Sequence, residues 1–288
     1  MEIEVNRLVF GCGYLGLRVA KQWLQAGDRV SAVTRSAARV AELEALGIQP
    51  IIADITNTDS LTELPTADTV LFSVGYDRAR YPNVRDVYVD GFNNVLENLP
   101  KETGQLIYIS TTGVYGGADG EWVSELSTVK PTRPSSQACL DAEALLQQSD
   151  YWSRSVVLRL AGIYGPSRIP RMATIQNRKW SELDPAGYIN LIHVDDAAAA
   201  VCEIARQKIS AETFLVSDGN PPQRSDFYEY IAGRLGVGPI LWPGSLETGS
   251  LQRSGASKRI SNRGLLERTG INLAYPNFRL GIDQALRR

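Results

Sequence analysis

Residues 9–16, "VFGCGYLG", decide the fold of this 288-residue chain. Gly11, Gly13 and Gly16 stand at the G-x-G-x-x-G spacing, after an apolar run and before a stretch with helical periodicity. In such a strand-turn-helix the first glycine permits a tight turn, the second lets the backbone approach a pyrophosphate, and the third lets helix and strand pack closely. The spacing predicts a dinucleotide-binding turn, and a purely structural glycine turn is the alternative.

Apolar runs alternate with helical stretches through the first half of the chain. The runs are "RLVF", "RVSAV", "IQPIIA", "TVLFSV", "QLIYIS" and "SVVLRL", and the helical stretches begin at Tyr14, Ser36, Asp86 and Ser135. This alternation predicts an α/β protein with a parallel sheet covered by helices on both faces. Beyond Gly165 the alternation becomes irregular, which predicts a smaller region that closes one side of a cleft.

The composition is that of a globular protein, with 43% hydrophobic and 22% charged residues and a net charge of −2. The nearly balanced charge, with no long run of one sign, argues against a nucleic-acid partner. Apolar runs much shorter than about 18 residues and the lack of a basic leader predict a soluble, unprocessed protein without membrane association. Three scattered cysteines and one histidine, His193, exclude a disulfide framework, predict no metal site and favour the cytoplasm.

The end of the second predicted strand bears on the choice of cofactor. An NAD site usually has an acidic residue there, but this chain has Arg35, followed by Arg39. A guanidinium can pair with a 2′-phosphate through two hydrogen bonds, so the sequence predicts NADP, with NAD and two solvated surface arginines as the alternative. Asp54, after the third strand, is predicted to accept a hydrogen bond from the adenine amino group, or else to cap a turn.

Later segments of the chain add to this pattern. They are "ADI" at 53–55, "YVDGFNNVLEN" at 88–98, "LIYISTTGVYG" at 106–116, "VVLRLAGIYGP" at 156–166, "NLIHVDDAAAA" at 190–200, "SKRISNRGLLERTG" at 257–270 and "YPNFRLGIDQAL" at 275–286. In this order they resemble the extended short-chain dehydrogenase/reductase superfamily, specifically its NAD-dependent epimerase/dehydratase group.

The resemblance implies a Rossmann-type doubly wound sheet with a smaller C-terminal α+β substrate-binding cap. It places the nucleotide-binding domain at residues 1–165, with 190–206 contributing to it, and the cap at 166–288. The cofactor-binding residues predicted from the motifs and the resemblance are Gly11, Cys12, Gly13, Tyr14, Leu15, Gly16, Thr34, Arg35, Ser36, Arg39, Asp54, Ile55, Ser73, Val74, Ser110 and Tyr164.

The same resemblance implies a catalytic Ser or Thr and a Tyr-x-x-x-Lys pair on one helix. The Tyr exchanges a proton with the substrate, and the Lys cation lowers the Tyr pKa. Thr111 takes the hydroxyl position. Counting back from Glu143, the Tyr position falls on Ser135 and the Lys position on Cys139, so this chain resembles an atypical member of the family in which neither group is present.

Four other polar features of the sequence each have two interpretations. His193 is predicted to be structural, bonded to Asp195 or Asp196, rather than a general base. The loop 73–86 is either a solvated loop with aromatic anchors, which is the favoured interpretation, or an anion-binding loop built from arginines and from Tyr76 and Tyr81. Tyr115 and Tyr164 match family positions near the cofactor, which explains their presence without catalysis; a catalytic role for either one is the alternative.

Two functions remain open. The first is an oxidoreductase or epimerase that acts on a small hydroxyl or carbonyl substrate, such as a nucleotide sugar, through a non-standard active site. The second is a non-catalytic dinucleotide-binding sensor, or a pseudoenzyme, that engages another protein. The chain is predicted to be a monomer or a homodimer.

Overall fold

The computed structural model describes residues 5–117, 119–242 and 257–287. Its main feature is a seven-stranded parallel sheet with the order β10-β7-β5-β4-β1-β2-β3. The strands, in chain order, are β1 (Asn6–Phe10), β2 (Arg29–Thr34), β3 (Gln49–Ile52), β4 (Thr69–Phe72), β5 (Gln105–Thr111), β6 (Trp122–Val123), β7 (Ser155–Leu160), β8 (Gly162–Tyr164), β9 (Leu191–His193), β10 (Glu212–Val216) and β11 (Arg259–Ile260). This sheet and its flanking helices confirm the predicted doubly wound fold class.

The strand order reverses at β1, because the chain passes from β3 at one edge back to β4 on the other side of β1. In register, Phe10 at the end of β1 lies beside Val33 of β2 and Phe72 of β4. Open α/β sheets bind ligands at such a switch point, outside the carboxyl ends of the strands. The glycine-rich turn follows β1 directly and therefore lies at this point.

The helices of the chain pack their apolar faces on the sheet or on one another. They are α1 (Gly16–Gln25), α2 (Val40–Ala45), α3 (Gly91–Asn98), α4 (Pro134–Gln148), α5 (Met172–Gln176), α6 (Val194–Gln207), α7 (Arg224–Leu235), α8 (Arg263–Thr269) and α9 (Phe278–Ala285). A π-helical turn, Asp86–Asp90, leads into α3. On one face of the sheet Phe92 of α3 packs against Phe72 and Tyr108, each with a ring-centroid separation of 4.6 Å. Aromatic contacts of this kind anchor α3 to the central strands.

Three predicted helix starts are wrong in detail. Helix α1 begins at Gly16, two residues after the predicted Tyr14. The stretch predicted as a helix from Ser36 begins as a 3₁₀ turn, Ala37–Arg39, and becomes α-helical only at Val40. Helix α4 begins at Pro134, one residue before the predicted Ser135, and no side chain caps it. Proline suits the first helical position because its φ angle is already helical and its missing N–H has no partner to lose there.

The chain divides into two compact units, which differ from the predicted division at residue 165. The first comprises Met1–Val114, Pro131–Arg159 and Ala198–Phe214, and the second comprises Tyr115–Lys130, Leu160–Ala197 and Leu215–Arg288. In the second unit, β8 pairs with β9, and β6 with β11. Its core contains Phe227 and Phe278, whose ring centroids lie 5.5 Å apart. Within the described ranges no helix is both long and apolar enough to cross a membrane.

Candidate functional site

The glycine-rich turn joins β1 to α1, and its three glycines have different surroundings. Gly11 has a φ of +83°, and a methyl group placed on it would lie 2.5 Å from the carbonyl oxygen of Ser73. A methyl group on Gly16 would lie 2.4 Å from the carbonyl oxygen of Gly11. Around Gly13, by contrast, no atom lies within 4 Å of such a methyl group. Gly11 and Gly16 are therefore needed for packing, whereas Gly13 faces open space.

The residues within and beside the turn hold its shape. The hydroxyl of Ser73 donates to the carbonyl oxygens of Gly11, at 3.0 Å, and Phe10, at 3.2 Å. Cys12 and Leu15 are buried, and burial raises the pKa of the Cys12 thiol to about 11. A thiol protonated at neutral pH is neither an ion nor a nucleophile, so Cys12 contributes backbone and packing to the turn.

The ends of β2 and β3 carry the predicted adenosine-binding residues. Thr34 and Ile55 are buried, whereas Arg35 and Ser36 are exposed. Arg39 donates from Nη1 to the carbonyl oxygen of Cys12 at 2.9 Å, so this side chain folds back onto the glycine-rich turn. The structure thus brings the segment after β2 and the glycine-rich turn after β1 together at one edge of the sheet.

Asp54 lies in a network of hydrogen bonds at this edge. Its Oδ1 accepts from the N–H of Thr56 at 3.0 Å and from the Thr56 hydroxyl at 2.8 Å, and its Oδ2 accepts from the Tyr81 hydroxyl at 3.0 Å. Burial raises the pKa of Asp54, but the bonds from Thr56 and Tyr81 outweigh it and hold the pKa below its usual value. Asp54 is therefore a carboxylate at neutral pH, and the predicted turn-capping role is present in its bonds to Thr56.

The loop 73–86 packs on the same edge through its aromatic side chains. The Tyr76 hydroxyl donates to the carbonyl oxygen of Tyr81 at 2.7 Å, and Val74 packs against the core of the first unit. Arg35 donates from Nη1 to the Tyr81 hydroxyl at 2.6 Å. Arg85 pairs instead with Asp141 of α4. The loop thus contains aromatic anchors, as the favoured interpretation predicted, and one of them touches a predicted cofactor residue.

At the end of β5, two hydroxyl groups lie beside Gly113. A methyl group on Gly113 would lie 2.6 Å from Ser136 Oγ and 3.2 Å from Thr111 Oγ1. Thr111 Oγ1 accepts a hydrogen bond from the N–H of Gly113 at 3.0 Å. Sequence reasoning did not identify Ser136, because the resemblance directs attention to Ser135. The structure leaves Ser135 exposed and buries Ser136, which is the helical position one residue further round.

A buried ion pair is the second polar feature of α4. Glu143 of α4 accepts from Arg159 of β7, with Nη2 to Oε2 at 2.6 Å and Nε to both carboxylate oxygens at 3.1 Å. The Ser110 hydroxyl of β5 also donates to Glu143 Oε1, at 2.5 Å. The hydroxyl of Ser110, a predicted cofactor residue, is therefore committed to this ion pair, which joins α4 to two strands of the sheet.

Helix α4 contains neither tyrosine nor lysine. Cys139, which takes the predicted Lys position, is buried, and its pKa is raised to about 12 by burial and by the nearby charge of Glu143. The thiol is neutral at physiological pH, so it supplies neither the cation of the family's lysine nor a thiolate.

Tyr164, another predicted cofactor residue, lies in the interior of the second unit. Its ring meets His193 edge-on with centroids 5.3 Å apart, and its buried hydroxyl makes no hydrogen bond among the described residues. Asp218 Oδ2 is likewise buried and makes no hydrogen bond among the described residues. His193 accepts from the N–H of Asp195 at Nδ1, 3.3 Å away, as expected of a structural histidine.

Comparisons with known proteins agree with this architecture. Protein YeeZ of Escherichia coli K12 is 24% identical over 283 residues, which cover 93% of this chain and 96% of that protein. A solved structure from Methylobacillus flagellatus, provisionally assigned as an NAD-dependent epimerase/dehydratase, is 28% identical with a TM-score of 0.78, covering 99% of this chain and 98% of that one. The enzyme WbmG of Bordetella bronchiseptica, solved with NAD and UDP, is 19% identical with a TM-score of 0.79, covering 99% and 94%. At that identity the similarity shows the fold alone.

The sequence model of one family, the NAD dependent epimerase/dehydratase family, matches residues 8–217. The family and the glycine-rich turn support a nicotinamide dinucleotide as the cofactor. Because the match spans most of the chain, this protein belongs to the NAD dependent epimerase/dehydratase family.

Proposed function

We propose that this protein is an NADP-preferring oxidoreductase or epimerase that acts on a small hydroxyl or carbonyl substrate, such as a nucleotide sugar, through a non-standard active site. The observation that carries the proposal is the pairing of two features at the switch point of the sheet. Gly13 faces open space in the glycine-rich turn, and Arg35 stands at the end of β2. A backbone approach for a pyrophosphate and a cation for a 2′-phosphate together favour NADP.

The nicotinamide ring, when bound, supplies hydride acceptance or donation. The chain itself supplies hydroxyl groups. Since Thr111 Oγ1 already accepts from the N–H of Gly113, the Thr111 hydroxyl proton can be donated to a substrate oxygen. Ser136 Oγ lies beside the same glycine. We infer that Thr111 and Ser136 orient the substrate oxygen, a role for which an unionised hydroxyl suffices.

A titration followed by a turnover assay tests this function. NADPH is expected to bind the purified chain more tightly than NADH. Hydride transfer from NADPH to a panel of aldehydes, ketones and nucleotide sugars is then measured, and Thr111→Ala is expected to abolish any transfer above background. Equal affinity for NADH would refute the NADP preference, and turnover that survives Thr111→Ala would refute the role of this hydroxyl.

The second candidate, a non-catalytic dinucleotide sensor, is favoured by the state of Cys139. A buried neutral thiol cannot lower the pKa of a proton donor as a lysine cation does. On this alternative NADPH binds but no substrate in the panel is reduced, and the protein pairs with a partner only when the dinucleotide is present. The turnover assay therefore separates the two functions.

A further inference from the structure

We propose that Tyr81 is a positioning residue for recognition of the cofactor's 2′-phosphate, because it holds the Arg35 guanidinium in place through a hydrogen-bond chain that begins at Asp54. The inference rests on the proposed NADP preference and extends it to a residue outside the strands and the glycine-rich turn. Tyr81 lies in the loop after β4, 46 residues from Arg35 in sequence.

The direction of each hydrogen bond follows from the chemistry of the three groups. Asp54 is a carboxylate and can only accept, so the single proton of the Tyr81 hydroxyl is committed to it, at 3.0 Å from Oδ2. A lone pair of the Tyr81 oxygen is thereby left for Arg35, which can only donate and does so from Nη1 at 2.6 Å. Asp54 thus sets the orientation of the Tyr81 hydroxyl, and the hydroxyl sets the position of the guanidinium.

Ring contacts support the same arrangement. The Cζ atom of Arg35 lies 5.2 Å from the centroid of the Tyr81 ring, and that of Arg80 lies 5.8 Å from it. Arg80 Nη2 also lies 3.6 Å from Asp54 Oδ2. Guanidinium groups at such distances from an aromatic ring are attracted to it. Two cations and the Asp54 carboxylate therefore gather around one phenol at an exposed edge of the sheet, and the remaining positive charge is complementary to a phosphate.

Arg39, the other predicted phosphate ligand, is engaged elsewhere. It donates from Nη1 to the carbonyl oxygen of Cys12 and from Nε to Glu42 Oε2 at 3.3 Å. Arg35 uses only one of its five N–H groups in a hydrogen bond among the described residues. Arg35 consequently has more donors left for a phosphate than Arg39 has, and its position depends on Tyr81.

The test is the Tyr81→Phe variant of the full chain, titrated calorimetrically with NADPH and with NADH. This change keeps the ring and removes only the hydroxyl. Since ordering a long side chain on binding costs about 0.5–1.5 kcal/mol, NADPH affinity is expected to fall about 2- to 12-fold while NADH affinity stays unchanged. The matched control is Tyr230→Phe, which removes a phenol-carboxylate bond of 2.7 Å to Asp283 in the second unit. It is expected to change neither affinity.

A double-mutant cycle with Arg35→Ala distinguishes positioning from a general effect on the loop. If Tyr81 acts through Arg35, then Tyr81→Phe has no further effect on NADPH affinity in the Arg35→Ala background. Asp54→Asn, which leaves Tyr81 in place and weakens the acceptor, serves as the second variant if Tyr81→Phe is unstable. Because Asp54 is also the predicted acceptor for the adenine amino group of both dinucleotides, the expected result is a loss of NADPH affinity that exceeds the loss of NADH affinity.

Several outcomes overturn the inference. Equal losses for NADPH and NADH would assign Tyr81 to the loop itself, and an effect that persists in the Arg35→Ala background would exclude action through that guanidinium. A wild-type preference for NADPH that Tyr81→Phe leaves intact would overturn this inference alone. A wild-type chain without any preference would overturn the proposed cofactor choice and the inference with it.

Discussion

Alanine substitutions at Gly11 and Gly13 are expected to have opposite consequences. Gly11 is at a φ of +83°, where a side chain costs about 1–2 kcal/mol, and its methyl group would meet the Ser73 carbonyl at 2.5 Å. Overpacking of this kind adds about 1–3 kcal/mol. Gly11→Ala should therefore lower the free energy of unfolding by about 2–5 kcal/mol. In Gly13→Ala the methyl group meets no protein atom within 4 Å, so the stability should stay within about 0.5 kcal/mol of wild type.

Cofactor affinity should fall in Gly13→Ala, the variant whose stability is expected to stay the same. The space beside Gly13 is the space that the proposal assigns to the pyrophosphate, so a methyl group there must displace it. A steric cost of about 1–3 kcal/mol corresponds to a roughly 5- to 150-fold weaker affinity for NADPH. NADH should weaken by the same factor, because both cofactors share the pyrophosphate.

Urea denaturation followed by circular dichroism, together with calorimetric titration of each folded variant, measures both quantities. Gly27→Ala is the matched control for Gly11→Ala, since Gly27 has a similar φ of +90° but no atom within 4 Å of an added methyl group. It should show the backbone cost alone. Normal NADPH binding by Gly13→Ala would refute the assignment of this space to the cofactor. If Gly13→Ala lost as much stability as Gly11→Ala, the description of the turn would be wrong.

Three further predictions concern buried groups. Burial raises the pKa of Asp218 from 3.8 to about 7. Between these pH values the folded chain holds a proton that the unfolded chain releases, so the stability falls as the pH rises. Asp218→Asn should remove this pH dependence and stabilise the protein by up to about 4 kcal/mol at pH 8, as measured by urea denaturation at pH 5 and 8. Arg159→Met should cost about 3–5 kcal/mol because it leaves Glu143 buried and unpaired, and adding Glu143→Gln should recover most of that loss in the same assay. Gly281→Ala should cost about 1–3 kcal/mol because its methyl group would lie 1.9 Å from the Tyr164 hydroxyl oxygen. Tyr164→Phe in the same chain should recover only part of the lost melting temperature, because the ring carbon Cζ would still lie 2.6 Å from the methyl group; no recovery at all would contradict the packing argument.

Much of the fold was predictable because the signals that specify it are local. The glycine spacing lies within six residues, and each apolar run has the length of a buried strand. The start of α4 was predicted incorrectly because serine and proline both mark helix starts, and Pro134 decided this one. The division into two units could not be predicted from the sequence, because residues 115–130 belong by contact to a unit whose other parts follow much later in the chain.

The sequence identified candidate site residues only where a strand end or the family resemblance pointed to them. Asp54 was identified because it follows an apolar run, and Thr111 because the resemblance of "LIYISTTGVYG" places the active-site hydroxyl there. Ser136 was missed because choosing between two adjacent serines requires the rotation of the helix, which the short motif does not fix. The contact of Tyr81 with Arg35 joins residues of different loops, and no periodicity or spacing encodes such a pair. The signal that was available was the density of arginine and tyrosine in residues 76–85.

The ion pair between Glu143 and Arg159 has a consequence for how this chain can diversify. It fixes α4 against the sheet through Glu143, which lies one helical turn beyond Cys139 on the same face of the helix. Cys139 is buried near this carboxylate, and burial together with that charge raises the pKa of its thiol, whereas Ser135 is exposed at the start of the helix. A substitution at position 135 can therefore be accepted without disturbing the ion pair, while a substitution at position 139 also changes the surroundings of Glu143.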